Sequence, residues 1–298
     1  MKKRDFLSLH DLPIADARAV LDLARTMKRE LASDRAARLG MFRGRACGIL
    51  MEKASTRTRV SFEVGAGQLG MIPVVLTTQG SQLARGEPVA DTARVLSRYV
   101  DLLVYRTSTR DRLEQMAKHA SVPVINALSD DGHPVQVLCD VFTIEEHFEK
   151  KISGMRVAWI GDCSSNMARS FVEASKLFGF ELRLAGPADY LMSDRGEAHF
   201  TTEAREALLG ADVVCTDVWT SMGQEAENEK RIRDFAGWTL DDAMLEHAKP
   251  SAIVLHCLPA HRGEEISASV IEGERSRVWD QAENRLHVQK ALIAFLLS

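Results

Sequence analysis

The chain has 298 residues, of which 45% are hydrophobic, and a formal net charge of −4. This length and apolar content are enough for one large or two medium domains with hydrophobic cores. The slightly acidic balance argues against a general nucleic-acid-binding protein, because no basic face is implied for the chain as a whole. Local clusters of basic residues would then bind small anions.

The cysteines indicate a reducing environment. They are odd in number and widely spaced, at Cys47, Cys139, Cys163, Cys215 and Cys257. We therefore expect them to be reduced, as in intracellular proteins. The basic N-terminus lacks the apolar core of a signal peptide, and no apolar run approaches the roughly 18 residues of a membrane span. The sequence thus predicts a cytoplasmic protein.

In chain order, the first half alternates helices and strands. A proline in the first turn marks a helix at 13–30. It is followed by a strand at 47–51, a helix that begins after Ser55, a strand at 72–77, a helix at 89–99, a strand at 102–105, a helix at 110–119 and a strand at 122–127. Such alternation is typical of a parallel sheet.

A long helix at 135–148 leads to a second alternating series. Its strands are predicted at 156–160, 181–185, 212–216, 252–256 and 277–279, and its helices at 166–178, 202–209 and 240–248, before a last helix at 283–297. The predicted fold class is therefore α/β, with two domains that each contain a parallel β-sheet flanked by helices.

The most informative stretch is Met51-Glu52-Lys53-Ala54-Ser55-Thr56-Arg57-Thr58-Arg59, which follows the first buried strand. Ser55 is a good N-cap, so the free backbone N–H groups of the first helical turn would lie beside the hydroxyls and the Arg57 guanidinium. Two arginines held in one cleft repel each other by about 4 kcal/mol at an effective dielectric near 20 unless an anion offsets them. The stretch predicts a phosphate site, although a capped helix with surface arginines is the simpler alternative.

Other polar residues follow the later strands, where ligands of open parallel sheets bind. They are Arg106, His133-Pro134-Val135-Gln136, residues 162–166, residues 217–223 and Cys257-Leu258-Pro259. Each alone could be a surface charge, a loop histidine or a small buried thiol. Their shared placement favours a single functional region.

Several cofactor motifs are absent or misplaced. The G-x-G-x-x-G sequence that starts at Gly65 follows a helix and not a strand, so we interpret Gly65 and Gly67 as residues for close helix packing and Gly70 as the helix stop. No P-loop, H-E-x-x-H or C-x-x-C motif occurs. The sequence therefore predicts no metal and no cofactor.

The motifs together resemble the transcarbamylase family. They are Ser55-Thr56-Arg57-Thr58-Arg59, His133-Pro134-x-Gln136, Asp217-x-x-x-Ser221-Met222-Gly223 and His256-Cys257-Leu258-Pro259. The first two are shared across the family, and the last two are features of its ornithine-specific branch. The resemblance extends from about Leu7 to the C-terminal helix, although Ala54 and Val135 stand where many relatives have proline and cysteine.

The resemblance implies a carbamoyl phosphate-binding domain (1–137 plus 283–298) and an ornithine-binding domain (138–282), bridged by two helices. It implies transfer of the carbamoyl group of carbamoyl phosphate to the δ-amine of L-ornithine, which gives citrulline and phosphate, as in arginine biosynthesis. It also implies a homotrimer or a multiple of trimers, because a loop residue, Gln82, enters the site of a neighbouring subunit in this family.

The resemblance further assigns residue roles. Carbamoyl phosphate would be bound by Ser55, Thr56, Arg57, Thr58, Gln82, Arg106, His133, Gln136, Cys257, Leu258 and Arg285. Ornithine would be bound by Asn166, Asp217, Ser221 and Met222. Catalytic roles would fall on Arg57, Arg106, His133 and Cys257.

The chemistry agrees with these roles, because a neutral amine must attack the carbamoyl carbon to form an oxyanion. Arg106, His133 and Thr58 are suitable donors to that oxyanion, and Arg57 would stabilise the departing phosphate. A carboxylate beside the δ-amine would raise its pKa, so we assign Asp217 to the α-ammonium group. Cys257 is interpreted as a polar contact, since the carbamoyl donor is already activated.

Three alternatives remain open at this stage. The enzyme could carbamoylate N-acetylornithine or putrescine. It could be a cysteine hydrolase that uses Cys257 with His256 or His261, although strand alternation would place Cys257 and His256 on opposite sides. It could also be a non-catalytic relative that binds only carbamoyl phosphate. Arginine synthesis and arginine breakdown would use the same site.

Overall fold

The computed structural model describes residues 3–77, 86–193, 196–220 and 227–298. The chain forms two compact units, one made of Met1–Cys139 with Glu283–Ser298 and the other of Asp140–Ala282. Both boundaries fall inside long helices, α5 (Pro134–Phe148) and α11 (Val278–Leu297). These two helices therefore contribute residues to both units.

The first unit is built on a parallel sheet. Its strands are β1 (Ala46–Met51), β2 (Ile72–Thr77), β3 (Leu102–Arg106) and β4 (Val124–Leu128). Its helices are α1 (Ile14–Ser33), α2 (Thr56–Gln68), α3 (Val89–Leu96) and α4 (Arg110–His119), preceded by a 3₁₀ turn at Leu9–Asp11. The strand order is β2-β1-β3-β4, with every pair parallel.

The second unit contains a larger parallel sheet. Its strands are β5 (Arg156–Ile160), β6 (Glu181–Ala185), β7 (His199–Thr201), β8 (Val213–Thr216) and β9 (Ile253–His256). Its helices are α6 (Asn166–Phe178), α7 (Ala204–Leu208), α8 (Asn228–Asp234), α9 (Asp242–Leu245) and α10 (Ala268–Glu272), with a 3₁₀ turn at Ala188–Tyr190. The strand order is β7-β6-β5-β8-β9.

Apolar runs in the central strands make the cores. In the first unit, Leu50 and Leu103 from the sheet pack with Ala93 of α3 and Met116 of α4. In the second unit, Ala158, Ile160, Val214 and Val254 belong to one cluster with residues of α7 and α10. Strands covered by helices on both faces read as continuous apolar runs, which explains why the sequence located them well. The predicted α/β fold with two parallel sheets is confirmed.

The predicted elements differ from the structure in several details, and among them helices α8 and α10 were not predicted. Residues 277–279 do not form a strand, because Val278 begins α11. The segment that precedes this helix forms an isolated bridge with β9, between Val254 and Ser276. Strand β7 was not predicted, since its short sequence at the edge of the sheet carries little pattern.

The glycines after α2 have different roles. Gly70 has a φ of +79°, and a Cβ there would collide with the carbonyl oxygen of Leu39, so its role as helix stop is confirmed. A Cβ at Gly65 would lie 3.2 Å from Lys290 Cγ, which confirms close packing of α2 on α11. Among the described residues, nothing lies within 4 Å of a Cβ at Gly67, so within this part of the chain the packing role predicted for that residue is not found.

Each sheet has a point at which the strand order reverses. In the first unit it lies between β1 and β3, and in the second between β5 and β8. Connections leave such neighbouring strands in opposite directions, which opens a crevice at their carboxyl ends. The candidate functional residues of each unit are found at these two positions.

Candidate active site

Ser55 and Arg106 lie at the switch point of the first sheet. Arg106 is the last residue of β3 and pairs in register with Met51, the last residue of β1. Ser55 lies four residues after Met51 and is the N-cap of α2. Arg106 is buried, with 6% of its surface exposed. The sheet therefore brings a guanidinium to the same edge as the head of a helix.

Ser55 is the N-cap of α2, as predicted. Its backbone is extended, with φ −162° and ψ 112°, and its Oγ accepts a 3.3 Å hydrogen bond from the Thr58 amide. Thr56, in the first turn, is exposed and Arg57 is partly buried. Free N–H groups and the helix dipole make such a turn favourable for an anion.

Hydrogen-bond donors converge on the hydroxyl of Thr58, which is 1% exposed. Ser55 Oγ donates at 3.1 Å and Arg285 Nη2 at 2.9 Å, and Arg106 Nη1 lies at 3.5 Å, the limit of a hydrogen bond. Two guanidinium groups thus face one point at the head of α2. Like charges at this spacing favour an anionic ligand.

His133 and Gln136 complete this cluster. Gln136 Oε1 accepts a hydrogen bond from Arg285 Nη1, and both side chains are buried. Burial, together with the positive charges of Arg285, Arg106 and Arg57, holds the pKa of His133 well below its usual value. His133 is therefore a neutral imidazole, which can donate a proton in a hydrogen bond without carrying charge.

A cavity of about 460 Å³ opens beside the head of α2. It is lined by Met51, Glu52, Ala54, Ser55, Thr56, Arg59 and Thr77. This volume suits a small metabolite. The first unit thus offers a pocket whose wall includes the N-cap and the first turn of a helix.

The second unit brings together Asp217 and Cys257, which follow β8 and β9. Cys257 Sγ donates a 3.1 Å hydrogen bond to Asp217 Oδ1. Burial raises the pKa of Asp217, although His256 and the thiol hydrogen bond oppose this shift. Asn166 is the first residue of α6, which follows β5, the neighbour of β8. These residues therefore lie around the switch point of the second sheet.

His256 supports the backbone of the Cys257 loop. Its Nδ1 accepts a 2.9 Å hydrogen bond from the amide of Leu258, and its Nε2 lies 3.1 Å from Oε1 of the buried Glu265. Leu258 has a φ of +59°, which is strained for a branched side chain and must be held by its surroundings. Because both ring nitrogens are engaged, His256 is not available as a base for Cys257.

Two groups of side chains could approach a metal ion among the described residues. They are Asp217 with His256 and Cys257, and His261 with Glu264 and Glu265. The first would have to break a hydrogen bond of His256 to bind a cation. In the second, His261 is exposed, Glu264 is partly buried, and the buried Glu265 already contacts His256 through its Oε1.

The sequence reasoning assigned no role to Glu52 or to the Arg231–Asp162 pair. Glu52 accepts hydrogen bonds from Tyr105 and Arg112. Arg231, which is 7% exposed, donates 2.8 Å hydrogen bonds to Asp162 Oδ2 and to the Trp219 carbonyl. An acidic residue directly after a strand in an anion site was a signal for Glu52. No comparable signal distinguished Arg231 from the charges around it.

Three predicted site residues, Gln82, Ser221 and Met222, lie outside the described residues. Within the described parts of the chain, no helix is both long enough and apolar enough to cross a membrane.

Comparison with known proteins places the chain in a family. Residues 4–146 match the family model for the aspartate/ornithine carbamoyltransferase carbamoyl-P binding domain, and residues 153–296 match that for the Asp/Orn binding domain. An ornithine carbamoyltransferase of Sorangium cellulosum is 58% identical, and the match covers 100% of this chain and 98% of that protein.

Solved structures give the same result. The ornithine carbamoyltransferase of Burkholderia thailandensis has a TM-score of 0.90 at 42% identity, with 99% of this chain and 98% of that one covered. That of Pyrococcus furiosus has a TM-score of 0.93 at 42% identity, with 98% and 96% covered. The chain belongs to the aspartate/ornithine carbamoyltransferase family.

Proposed function

We propose that the protein transfers the carbamoyl group of carbamoyl phosphate to the δ-amine of L-ornithine and releases citrulline and phosphate. The observation that carries this proposal is the convergence of Ser55, Arg106 and Arg285 on Thr58 at the head of α2. The three relatives compared above are all named ornithine carbamoyltransferase. A solved structure of an anabolic ornithine carbamoyltransferase from Campylobacter jejuni, with a TM-score of 0.90 at 36% identity, supports a role in arginine biosynthesis.

The first unit would bind carbamoyl phosphate. The phosphate would be held by the N-cap and first turn of α2, that is by Ser55, Thr56, Arg57 and Thr58, with Arg285 as a further contact. Arg106, His133 and Gln136 would lie at the carbamoyl end. Arg57 would stabilise the departing phosphate dianion, because positive charge near the leaving group lowers the barrier to its departure.

Arg106 and His133 would stabilise the tetrahedral oxyanion. A buried guanidinium and a neutral imidazole are pre-formed donors that need no rearrangement during the reaction. A neutral His133 also adds no further charge to a region that already contains Arg106 and Arg285. Each such donor typically contributes about 3 to 4 kcal/mol to catalysis.

The second unit would bind ornithine. We assign Asn166, Ser221 and Met222 to its amino-acid end and Asp217 to its α-ammonium group. An ammonium partner would favour the charged form of Asp217, which burial disfavours. Cys257 and Leu258 would contact the reacting end without forming a covalent intermediate. With Asp217 assigned to a free α-ammonium group, ornithine is favoured over N-acetylornithine, because the acetylated α-amine carries no charge for Asp217 to bind.

We further propose a homotrimer or a multiple of trimers in the cytoplasm, with Gln82 contributed to a neighbouring site. Exposed apolar residues on α2 and β2 support self-association, namely Val60, Val64, Ile72 and Val74. Sedimentation velocity would test this directly. A species at about three times the chain mass, or at a multiple of that mass, is expected, and a monomer at micromolar concentration would contradict the proposal.

The proposed reaction has a simple test. The purified protein is mixed with carbamoyl phosphate and L-ornithine, and citrulline and phosphate are both measured. Equal amounts of the two products are expected, and neither should form above background when ornithine is omitted. Phosphate release without citrulline would indicate a hydrolase and would overturn the proposal.

A further inference from the structure

Glu52 contacts three consecutive residues at the end of β3. Its carboxylate accepts hydrogen bonds from Tyr105 Oη at 2.5 Å and Thr107 Oγ1 at 2.6 Å. Its backbone amide donates a 2.9 Å hydrogen bond to the carbonyl oxygen of Arg106, which lies between them. One residue therefore holds both neighbours of Arg106 and the Arg106 backbone itself.

This arrangement determines where the Arg106 side chain points. Successive side chains along a strand face opposite sides. Tyr105 and Thr107 are directed to Glu52, so Arg106 is directed the other way, where its Nη1 lies 3.5 Å from Thr58 Oγ1. The β3–β4 register shifts between Tyr105 and Arg106, so the hydrogen bonds between β3 and β4 do not by themselves fix the backbone at Arg106.

Arg112 offsets the charge of Glu52. Its Nη2 lies 2.5 Å from Glu52 Oε1, and its Nε lies 3.1 Å from both carboxylate oxygens. Burial would raise the pKa of Glu52, but the hydrogen bonds from Arg112, Thr107 and Tyr105 hold it below its usual value. Glu52 is thus an anion, and it lines the cavity together with Ser55 and Thr56. Its negative charge is paired with the guanidinium of Arg112.

We propose that Glu52 is a positioning residue for Arg106, and that Arg112 prevents the Glu52 carboxylate from repelling the anionic substrate. The inference rests on the proposed function, in which Arg106 contacts the carbamoyl oxygen. A simpler account would make Glu52–Arg112 a stabilising ion pair alone. That account predicts a change in thermal stability and none in the kinetics of the folded enzyme.

The first test separates kcat from KM. Glu52→Ala is expected to lower kcat by about 10- to 100-fold, because a misplaced donor stabilises the transition state poorly. The Kd of inorganic phosphate, measured by calorimetry, should not rise, since the head of α2 is intact and the positive charge of Arg112 remains. Thr107→Val removes one of the hydrogen bonds with little change of shape and should lower kcat in the same direction.

Glu114→Gln is the matched control. Glu114 pairs with Arg110 on α4 at 2.7 Å, and both side chains are about half exposed. The Glu114→Gln variant should leave kcat unchanged. A kcat of folded Glu52→Ala within about twofold of the parent would overturn the inference. If Glu52→Ala does not fold, Thr107→Val decides, and an unchanged kcat for that variant would overturn it as well.

The second test concerns charge. Arg112→Gln leaves the carboxylate uncompensated and should raise the KM for carbamoyl phosphate several-fold, about tenfold at low salt. Adding Glu52→Gln to Arg112→Gln should bring that KM back toward the parent value. A KM higher in the double variant than in Arg112→Gln would overturn the charge-pairing role. If the parent itself forms no citrulline, the proposed function fails instead, so the two failures are distinguishable.

Discussion

Arg285 Nη2 donates a 2.9 Å hydrogen bond to Thr58 Oγ1, although 227 residues separate the two in the chain. The other terminal nitrogen of Arg285, Nη1, donates a hydrogen bond to Gln136 Oε1. A residue of the last helix therefore completes a site that begins at the first strand. In the proposed function, the C-terminal helix would therefore contribute to anion binding as well as to the hydrophobic core.

Arg285→Ala should weaken carbamoyl phosphate binding. The change removes a buried cation that would contact the bound substrate, and a hydrogen bond from a charged group contributes about 2 to 3 kcal/mol to binding. The KM for carbamoyl phosphate should rise by roughly 30- to 150-fold. Arg45→Ala, which removes a surface donor to the backbone of Leu297, is the control and should have little effect. Equal KM values for both variants would refute the role of Arg285.

His133 should make folding stability depend on pH. Its pKa in the folded state lies well below 6.5, so below that pH the unfolded chain binds a proton that the folded protein does not. Stability from this residue is therefore present at neutral pH and falls as the pH drops below about 6.5, by up to about 1.4 kcal/mol per unit.

Urea unfolding at several pH values between 5 and 7 measures this effect. His133→Gln should show a shallower decline than the parent. Exposed His247→Gln serves as the control and should follow the parent curve. Identical pH dependence in the parent and His133→Gln would show that His133 is not held neutral by the fold.

Asp217→Asn should lose mainly ornithine affinity. The amide can still accept the Cys257 thiol hydrogen bond but cannot pair with an ammonium group. The KM for ornithine should rise by about 10- to 100-fold, while the KM for carbamoyl phosphate stays nearly unchanged. A large fall in turnover with unchanged ornithine affinity would place Asp217 at the reacting amine instead.

Cys257→Ser should remain active within about tenfold of the parent, because the hydroxyl retains a hydrogen bond to Asp217. Intact-protein mass spectrometry of the parent during turnover should detect no carbamoyl adduct. Trapping a carbamoylated Cys257, together with loss of all activity in Cys257→Ser, would establish a covalent mechanism.

The sequence predicted those parts of the site that depend on local chemistry. The Ser55 cap follows from one residue type at a helix start, and the positions of Arg106 and Asp217 follow from the rule that ligands bind at strand ends. The approach of Arg285 to Thr58 depends on how α11 packs on α2, which no local pattern encodes; the role of Arg285 came only from a resemblance.

Two failures have the same origin. The run at 277–279 favours a strand by composition, yet tertiary context makes Val278 the start of a helix. Glu52 was given no role of its own, because its partners, Tyr105 on β3 and Arg112 on α4, are distant in the chain and meet it only in the fold. Residues that act through long-range contacts are therefore the ones that sequence reasoning missed.

The most direct test of the central claim is citrulline formation with competing acceptors. Carbamoyl phosphate is supplied with L-ornithine, N-acetylornithine, putrescine and aspartate, separately and in mixture. We predict turnover with ornithine alone, which would support the assignment of Asp217 to a free α-ammonium group. Turnover with N-acetylornithine or putrescine in place of ornithine would leave the Thr58 site intact but contradict the assignments of Asp217, Ser221 and Met222.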